Sequence, residues 1–152
     1  MEYSTDFVLA LISRIHTKSA EFTNSRLPQE NGLVSSHGFI LFQLAEKEKL
    51  TMKDIASIIN RDKSTTTVLI KKLLDKGLVK QESSSDDKRI KYITLTAKGK
   101  KLNSLTSSIS RELLDVCYQG FSLQEKETLL SLLCRLNGNI ENSLKATLKA
   151  TP

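Results

Sequence analysis

Residues 51 to 95 constrain this chain more than any other stretch, because their punctuation leaves few ways to fold them. Thr51 followed by Asp54 has the form of a helix N-cap in which hydroxyl and carboxylate reciprocally serve backbone N–H groups. Ile55, Ile58 and Ile59 fill one side of a short helix, and Asn60 and Arg61 break it. Asp62 is placed to cap a second helix carrying Leu69, Ile70, Leu73 and Leu74. Gly77 follows, a residue suited to the left-handed conformation that closes helices. Two helices of modest length joined by a tight turn result. The texture then changes: residues 78–82 and 89–95 read as strands around a polar, turn-prone segment at 83–88, a two-stranded hairpin and the only β-structure the pattern predicts.

Helices are expected on both sides. Val8, Leu11, Ile12 and Ile15 recur at i, i+3, i+4, i+7 in a helix over about residues 4–25, before a loop at 27–32. A helix capped by Ser35 or Ser36 carries Phe39, Leu41, Phe42, Leu44 and Ala45 as its apolar set. Thr96 caps another, with Leu102, Leu105, Ile109, Leu113, Val116 and Cys117 in step. A full capping box at Ser122 and Glu125 opens the last, which carries Leu129, Leu133, Leu136, Ile140 and Leu144. At 152 residues the chain suffices for one sizeable core. The expected fold is therefore mainly α with a two-stranded β-wing.

Charge is distributed unevenly. Residues 61–101 hold twelve Lys or Arg against five Asp or Glu, while the other 111 residues hold eleven against twelve. The basic excess is confined to one block, the footprint expected of a polyanionic partner, although a solvated basic surface has the same composition. Within the block, Thr66, Leu69, Ile70 and Leu73 form an inner helix face, and Lys63, Ser64, Thr67 and Lys71 an outer one. A small polar or basic face opposite an apolar one suits a helix that enters the major groove of DNA. An ordinary surface helix shows the same two faces. A basic hairpin directly afterwards tips the balance, since its tip can lie along the minor groove, where Arg is favoured. Arg89 is the candidate for that contact, and Asp87, two residues before it, is placed to pair with Arg89 and fix its direction. Arg61, Lys72, Lys88 and Lys91 complete the candidate basic contacts.

The ordered set Asp62-Lys63-Ser64-Thr65-Thr66-Thr67, Leu73-Leu74-Asp75-Lys76-Gly77-Leu78-Val79, Asp87-Lys88-Arg89 and Leu95-Thr96-Ala97-Lys98-Gly99 resembles the MarR family of winged helix-turn-helix regulators. The resemblance implies a homodimer bound to a pseudo-palindromic duplex. It further implies a DNA-binding lobe over residues 33–99 and dimerisation helices over 1–27 and 100–150. Asp87 and Arg89 match the family's wing pair, and Ser64, Thr65 and Thr67 match its recognition helix. Val68 departs from the basic or polar residue common there, and suits contact with a thymine methyl group instead.

Family members that sense small aromatic or phenolic effectors bind them between dimer helices and DNA-binding lobe. His16 and His37 can line such a cleft or serve as structural histidines. Cys117 and Cys134 lack metal spacing and fit buried, inert thiols better than redox sensors. No cofactor or metal is expected. No Gly-rich phosphate loop, metal-ligand cluster or nucleophile elbow is present, which argues against an enzyme. The polar, acidic N-terminus and the lack of a long apolar run lead to an expectation of a cytoplasmic protein without a membrane partner. A winged-helix DNA binder without an effector, and a winged-helix protein–protein module, remain compatible with the same residues.

Overall fold

The computed structural model describes residues 4–28, 32–84 and 87–150, with side chains through residue 147. Two compact units divide the chain, Met1–Leu113 and Leu114–Pro152. In the first, a single 3-10 turn capped by Ser4 leads into α1 (Val8–Arg26), followed by α2 (Ser35–Lys47) and β1 (Lys49–Thr51). Next come α3 (Met52–Ile58), α4 (Lys63–Asp75), β2 (Val79–Ser83) and β3 (Lys91–Leu95). The long helix α5 (Ala97–Cys117) runs into the second unit, which also holds α6 (Leu123–Ala150).

Local chemistry sets most of these boundaries. Thr51 Oγ1 accepts the Asp54 N–H, and Asp54 Oδ2 accepts the Thr51 N–H at 2.9 Å, so both orphan donors at the start of α3 are satisfied. Asp62 caps α4 by accepting the Thr65 N–H at 2.8 Å. Gly77 closes the end of α4 with φ 65°, a conformation other residues adopt only with strain. In the second unit Ser122 and Glu125 form the expected capping box.

The core of the first unit packs α2, α3, α4 and the sheet around Ile40, Leu41, Leu44, Ile55, Leu73 and Ile93. The buried stripe of α2 is His37, Ile40, Leu41 and Leu44, at i, i+3, i+4, i+7. Phe39 and Phe42, read as part of the apolar set of this helix, are exposed, and Ile40 takes the inward position because helical phase decides which side chains face the core. The start of α2 also differs from the expected serine cap. Val34 occupies the N-cap position, and His37 Nδ1 accepts the Val34 N–H at 3.0 Å, doing the work of a capping side chain.

The sheet has three antiparallel strands in the order β1-β3-β2, not two. Leu50 pairs with Ile93 and Thr51 with Tyr92, while Val79 pairs with Leu95 and Ser83 with Lys91. β1 escaped the pattern because it is three residues long with one apolar side chain, and its last residue is also the cap of α3. Glu48, at φ 63°, makes the bend that turns the chain from α2 into it.

The ends of α4 and β3 and the starts of β2 and α5 are tied at one junction. Thr96 donates its N–H to the Leu78 carbonyl at 3.1 Å and its hydroxyl to the Gly77 carbonyl at 2.7 Å. The same hydroxyl accepts the Gly99 N–H, capping α5. Lys98 Nζ donates to the Lys76 carbonyl at 2.9 Å. A Cβ on Gly99 would stand 1.9 Å from the Leu78 carbonyl oxygen, a backbone atom that cannot yield. Gly138, in the middle of α6, has nothing within 4 Å of the same position. Gly99→Ala therefore lowers the unfolding free energy by about 3 kcal/mol. Gly138→Ala instead raises it by about 0.5 kcal/mol through helix propensity. Paired denaturant melts of the two variants read the difference.

Candidate nucleic-acid interface and adjoining cleft

The chain enters α4 through a tight turn in which Asn60 adopts φ 50° and the Arg61 N–H reaches the Ala56 carbonyl at 3.1 Å. The two faces of α4 are then sharply different. Thr66 is 0% exposed, its hydroxyl donating to the Asp62 carbonyl at 2.8 Å, and Ile70 and Leu73 are buried beside it. Burying each of those two aliphatic side chains stabilises the seat by roughly 2 kcal/mol. Lys63, Ser64, Thr65, Thr67 and Lys71 are exposed, and Val68 is 68% exposed.

The first turn carries a compact hydrogen-bond set. Ser64 Oγ donates to Asp62 Oδ1, and Thr65 Oγ1 donates to Asp62 Oδ2 at 2.7 Å. Donation from Ser64, then from the Thr65 backbone and hydroxyl, holds the Asp62 carboxyl far below its ordinary range, so it stays ionised. Thr67 Oγ1 donates to the Lys63 carbonyl at 2.7 Å. Lys71 pairs with Asp75 across one turn at 3.3 Å, both side chains well exposed. Lys72 stands apart: its ammonium lies beside Gly32, and its charge is felt at His37.

In the wing, the Ser84 N–H donates to the Ile90 carbonyl and the Ile90 N–H to the Asp87 carbonyl, each at 2.9 Å. Asp87, Lys88, Arg89 and Lys91 are all exposed. Asp87 Oδ1 accepts the backbone N–H of Arg89 at 2.9 Å rather than its guanidinium, so it shapes the turn instead of aiming the side chain. Ser85 and Asp86, part of the expected turn, lie outside the described residues, as do residues 29–31 of the earlier loop.

A cleft of about 420 Å³ opens beside this surface. Its walls are His16, Ser19, Ala20 and Thr23 of α1, Ser35, Ser36 and Phe39 of α2, then Ile59, Arg61 and Leu113. Of the two histidines, His16 is in it and His37 is not. The polar walls were missed from sequence, yet a signal existed: Ser19 and Thr23 continue the phase of Ile12 and Ile15, where an apolar stripe would continue if the face were simply packed. Among the described residues no group of His, Cys, Asp or Glu could hold a metal ion. Both cysteines, expected to be buried, are exposed in this single chain.

His37 is 3% exposed, and its Nε2 has no hydrogen-bond partner. Burial, and then the Lys72 charge, push its pKa below the usual 6.5. The unfolded chain therefore takes up this proton before the folded one does. Stability from the neutral imidazole is complete above pH about 6.5 and is lost as pH falls below it. Thermal melts across that range should show a falling midpoint in the wild type, and His37→Asn, which keeps an acceptor for the Val34 N–H, should flatten that part of the curve.

Fold and surface together define a winged helix-turn-helix protein. Residues 33–91 match the model of the MarR family. The chain is similar to the uncharacterized HTH-type transcriptional regulator YybA of Bacillus subtilis (strain 168), 33% identical over 101 residues that cover 66% of this chain and 67% of that protein. Its fold matches a mutant MarR from E. coli complexed with operator DNA, with TM-score 0.74 and 18% identity over 88% of this chain and 99% of the other. It also matches Bordetella bronchiseptica BpsR, from a study of the regulation of its DNA binding by 6-hydroxynicotinic acid, with TM-score 0.74 and 18% identity over 86% and 98%. The chain belongs to the MarR family and is a DNA-binding transcriptional regulator, not an enzyme.

Proposed function

We propose that this regulator is a cytoplasmic homodimer that represses transcription from a pseudo-palindromic operator and is released by a small aromatic effector. The observation that carries the reading is the two-faced α4, sealed by Thr66, Ile70 and Leu73 and bare at Lys63, Ser64, Thr65, Thr67, Val68 and Lys71, with an exposed Arg89 at the neighbouring hairpin tip. On this reading α4 enters the major groove and Arg89 follows the minor groove, while Arg61, Lys88 and Lys91 contact phosphates. Asp87 acts by holding the backbone of the wing tip. Lys72, turned toward Gly32, contributes to the field more than to direct contact.

The lobe that binds DNA spans residues 33–99, and the helices of 1–27 and 100–150 make the dimer. Support for the dimer comes from exposed apolar side chains: Leu9 and Ile15 on α1, Leu130 and Leu144 on α6. None of the described residues of α6 is buried, so its leucines need a partner surface. Support for an effector comes from the cleft, where the Phe39 ring, four hydroxyls and the Arg61 guanidinium fit a phenol or aromatic acid. Occupancy would favour a spacing of the two α4 helices that mismatches the duplex. Among the described residues no helix is long and apolar enough to cross a membrane.

Duplexes selected from a random pool, followed by fluorescence anisotropy at several salt concentrations, test this directly. Arg89→Ala should weaken binding about tenfold and reduce the slope of log affinity against log salt by about one. A protein that retains no duplex at low ionic strength, or an Arg89→Ala variant that binds as the wild type does, contradicts the proposal and favours a protein–protein module.

A further inference from the structure

Three hydroxyl groups occupy the leading half of the outer face of α4, and the hydrogen of each is already committed. Ser64 Oγ and Thr65 Oγ1 donate to the two carboxylate oxygens of Asp62, and Thr67 Oγ1 donates to the Lys63 carbonyl. The direction is fixed by chemistry, because an ionised carboxylate and a carbonyl can only accept. What the three side chains offer outward is lone pairs. Phosphate oxygens, guanine N7 and O6, and thymine O4 also offer only lone pairs, so they do not complement this edge. The groups that do are the amino groups of adenine N6 and cytosine N4. One turn on from Ser64, the exposed Val68 presents methyl groups, for which the matching base feature is the thymine methyl. An A·T pair supplies both an amino group and a methyl. A G·C pair supplies the amino group on cytosine but lacks the methyl, so the hydroxyl edge chooses an amino-bearing over a keto-bearing base and Val68 distinguishes the two pairs.

Asp62 is also more than the cap requires. An uncharged Ser, Thr or Asn caps a helix about as well, and a carboxylate beside phosphates is electrostatically unfavourable. Taking the Ser64 hydroxyl and the Thr65 N–H on one oxygen and the Thr65 hydroxyl on the other uses both oxygens of a carboxylate. An Asn offers only one.

We infer that Asp62 is a specificity-determining positioning residue: by holding the hydrogens of Ser64 and Thr65 it makes the tip of α4 an acceptor edge that selects amino-bearing adenine or cytosine over keto-bearing guanine or thymine at the base it meets in the major groove, while Val68 adds the preference for a thymine methyl. The inference rests on the proposal that α4 enters that groove. Asp62 touches no base itself and acts through its two neighbours.

The experiment uses the full-length protein and duplexes selected from a random pool by the wild type and by Asp62→Asn. The wild type should select A·T pairs beneath α4. In the selected duplex, replacing adenine by purine, which lacks the 6-amino group, or thymine by uracil, which lacks the methyl, should each weaken binding about fivefold. Asp62→Asn keeps a capping oxygen but frees one hydroxyl hydrogen, so it should accept guanine or thymine at the base where the wild type requires an amino group, reducing discrimination there about fivefold. Ser64→Ala and Thr65→Val leave the cap in place and should lose the same discrimination, which keeps the test open if the Asn variant folds poorly. A merely structural Asp62 would change affinity for all duplexes alike and leave base preference untouched. If the wild type binds duplexes but shows no preference for an amino-bearing base beneath α4, or the variants select the wild-type motif, the inference falls while DNA binding stands. If no duplex is bound, the placement of α4 in the groove falls with it.

Discussion

The Leu78 carbonyl is the point on which this DNA-binding lobe turns. It accepts the Thr96 N–H and lies where any side chain on residue 99 would collide with it. Gly77 reverses the chain just before it, and Thr96 ties the reversal to the end of β3 through a second carbonyl. The outgoing end of α4, the root of the hairpin and the first turn of α5 are thus joined through a few backbone atoms. Backbone contacts at this range leave little room for hinge motion, since packed interiors resist even small displacements. The angle between α4 and the hairpin is set there, far from either tip.

Given that fixed angle, what α4 presents follows from how it is seated. Its inner residues are held by burial, and Thr66 is admitted to the core only because its hydroxyl is satisfied by the Asp62 carbonyl. On its outer face Ser64 and Thr65 are held by an ionised carboxylate, whereas Lys71 is held by a pair that costs little to give up. The Lys71–Asp75 pair is exposed at both ends, and such pairs contribute between nothing and about 1 kcal/mol, so Lys71 is available to a phosphate without loss of fold. The helix thus combines a rigid seat and an ordered leading edge with one loosely held cation.

Legibility from sequence followed the range of the chemistry. The caps at Thr51, Asp62, Gly77, Thr96 and Ser122 were readable because each acts within a few residues of itself. The phase of α4 was readable from its own period, down to the burial of a threonine. β1 was not, because its pairing partner Ile93 lies some forty residues away and nothing in residues 49–51 announces it. The start of α2 was misread for a different reason: Val34, which has no capping side chain, stands at the N-cap, and an imidazole at the third helical position accepts its N–H. The role of Asp87 toward a backbone rather than a guanidinium could be settled only by the path of the turn itself.

The cleft was the least readable feature, since its walls come from α1, α2, the turn before α4 and the C-terminal part of α5, and only packing brings them together. Its position gives the proposed release mechanism a physical route. Ile59 and Arg61 belong both to the cleft wall and to the short connection that ends in the Asp62 cap. A ligand shifts an equilibrium only through contacts that differ between its states. Here such contacts fall on Ile59 and Arg61, two residues of the connection that sets where α4 begins. Arg61 is the sharpest case: an aromatic acid drawn to its guanidinium would withdraw one positive charge from the edge facing DNA, and would also bear on the turn whose Asn60 holds a left-handed conformation. Charge and geometry are coupled at one residue, so an occupant of modest affinity could act on DNA binding without a long chain of intervening motions.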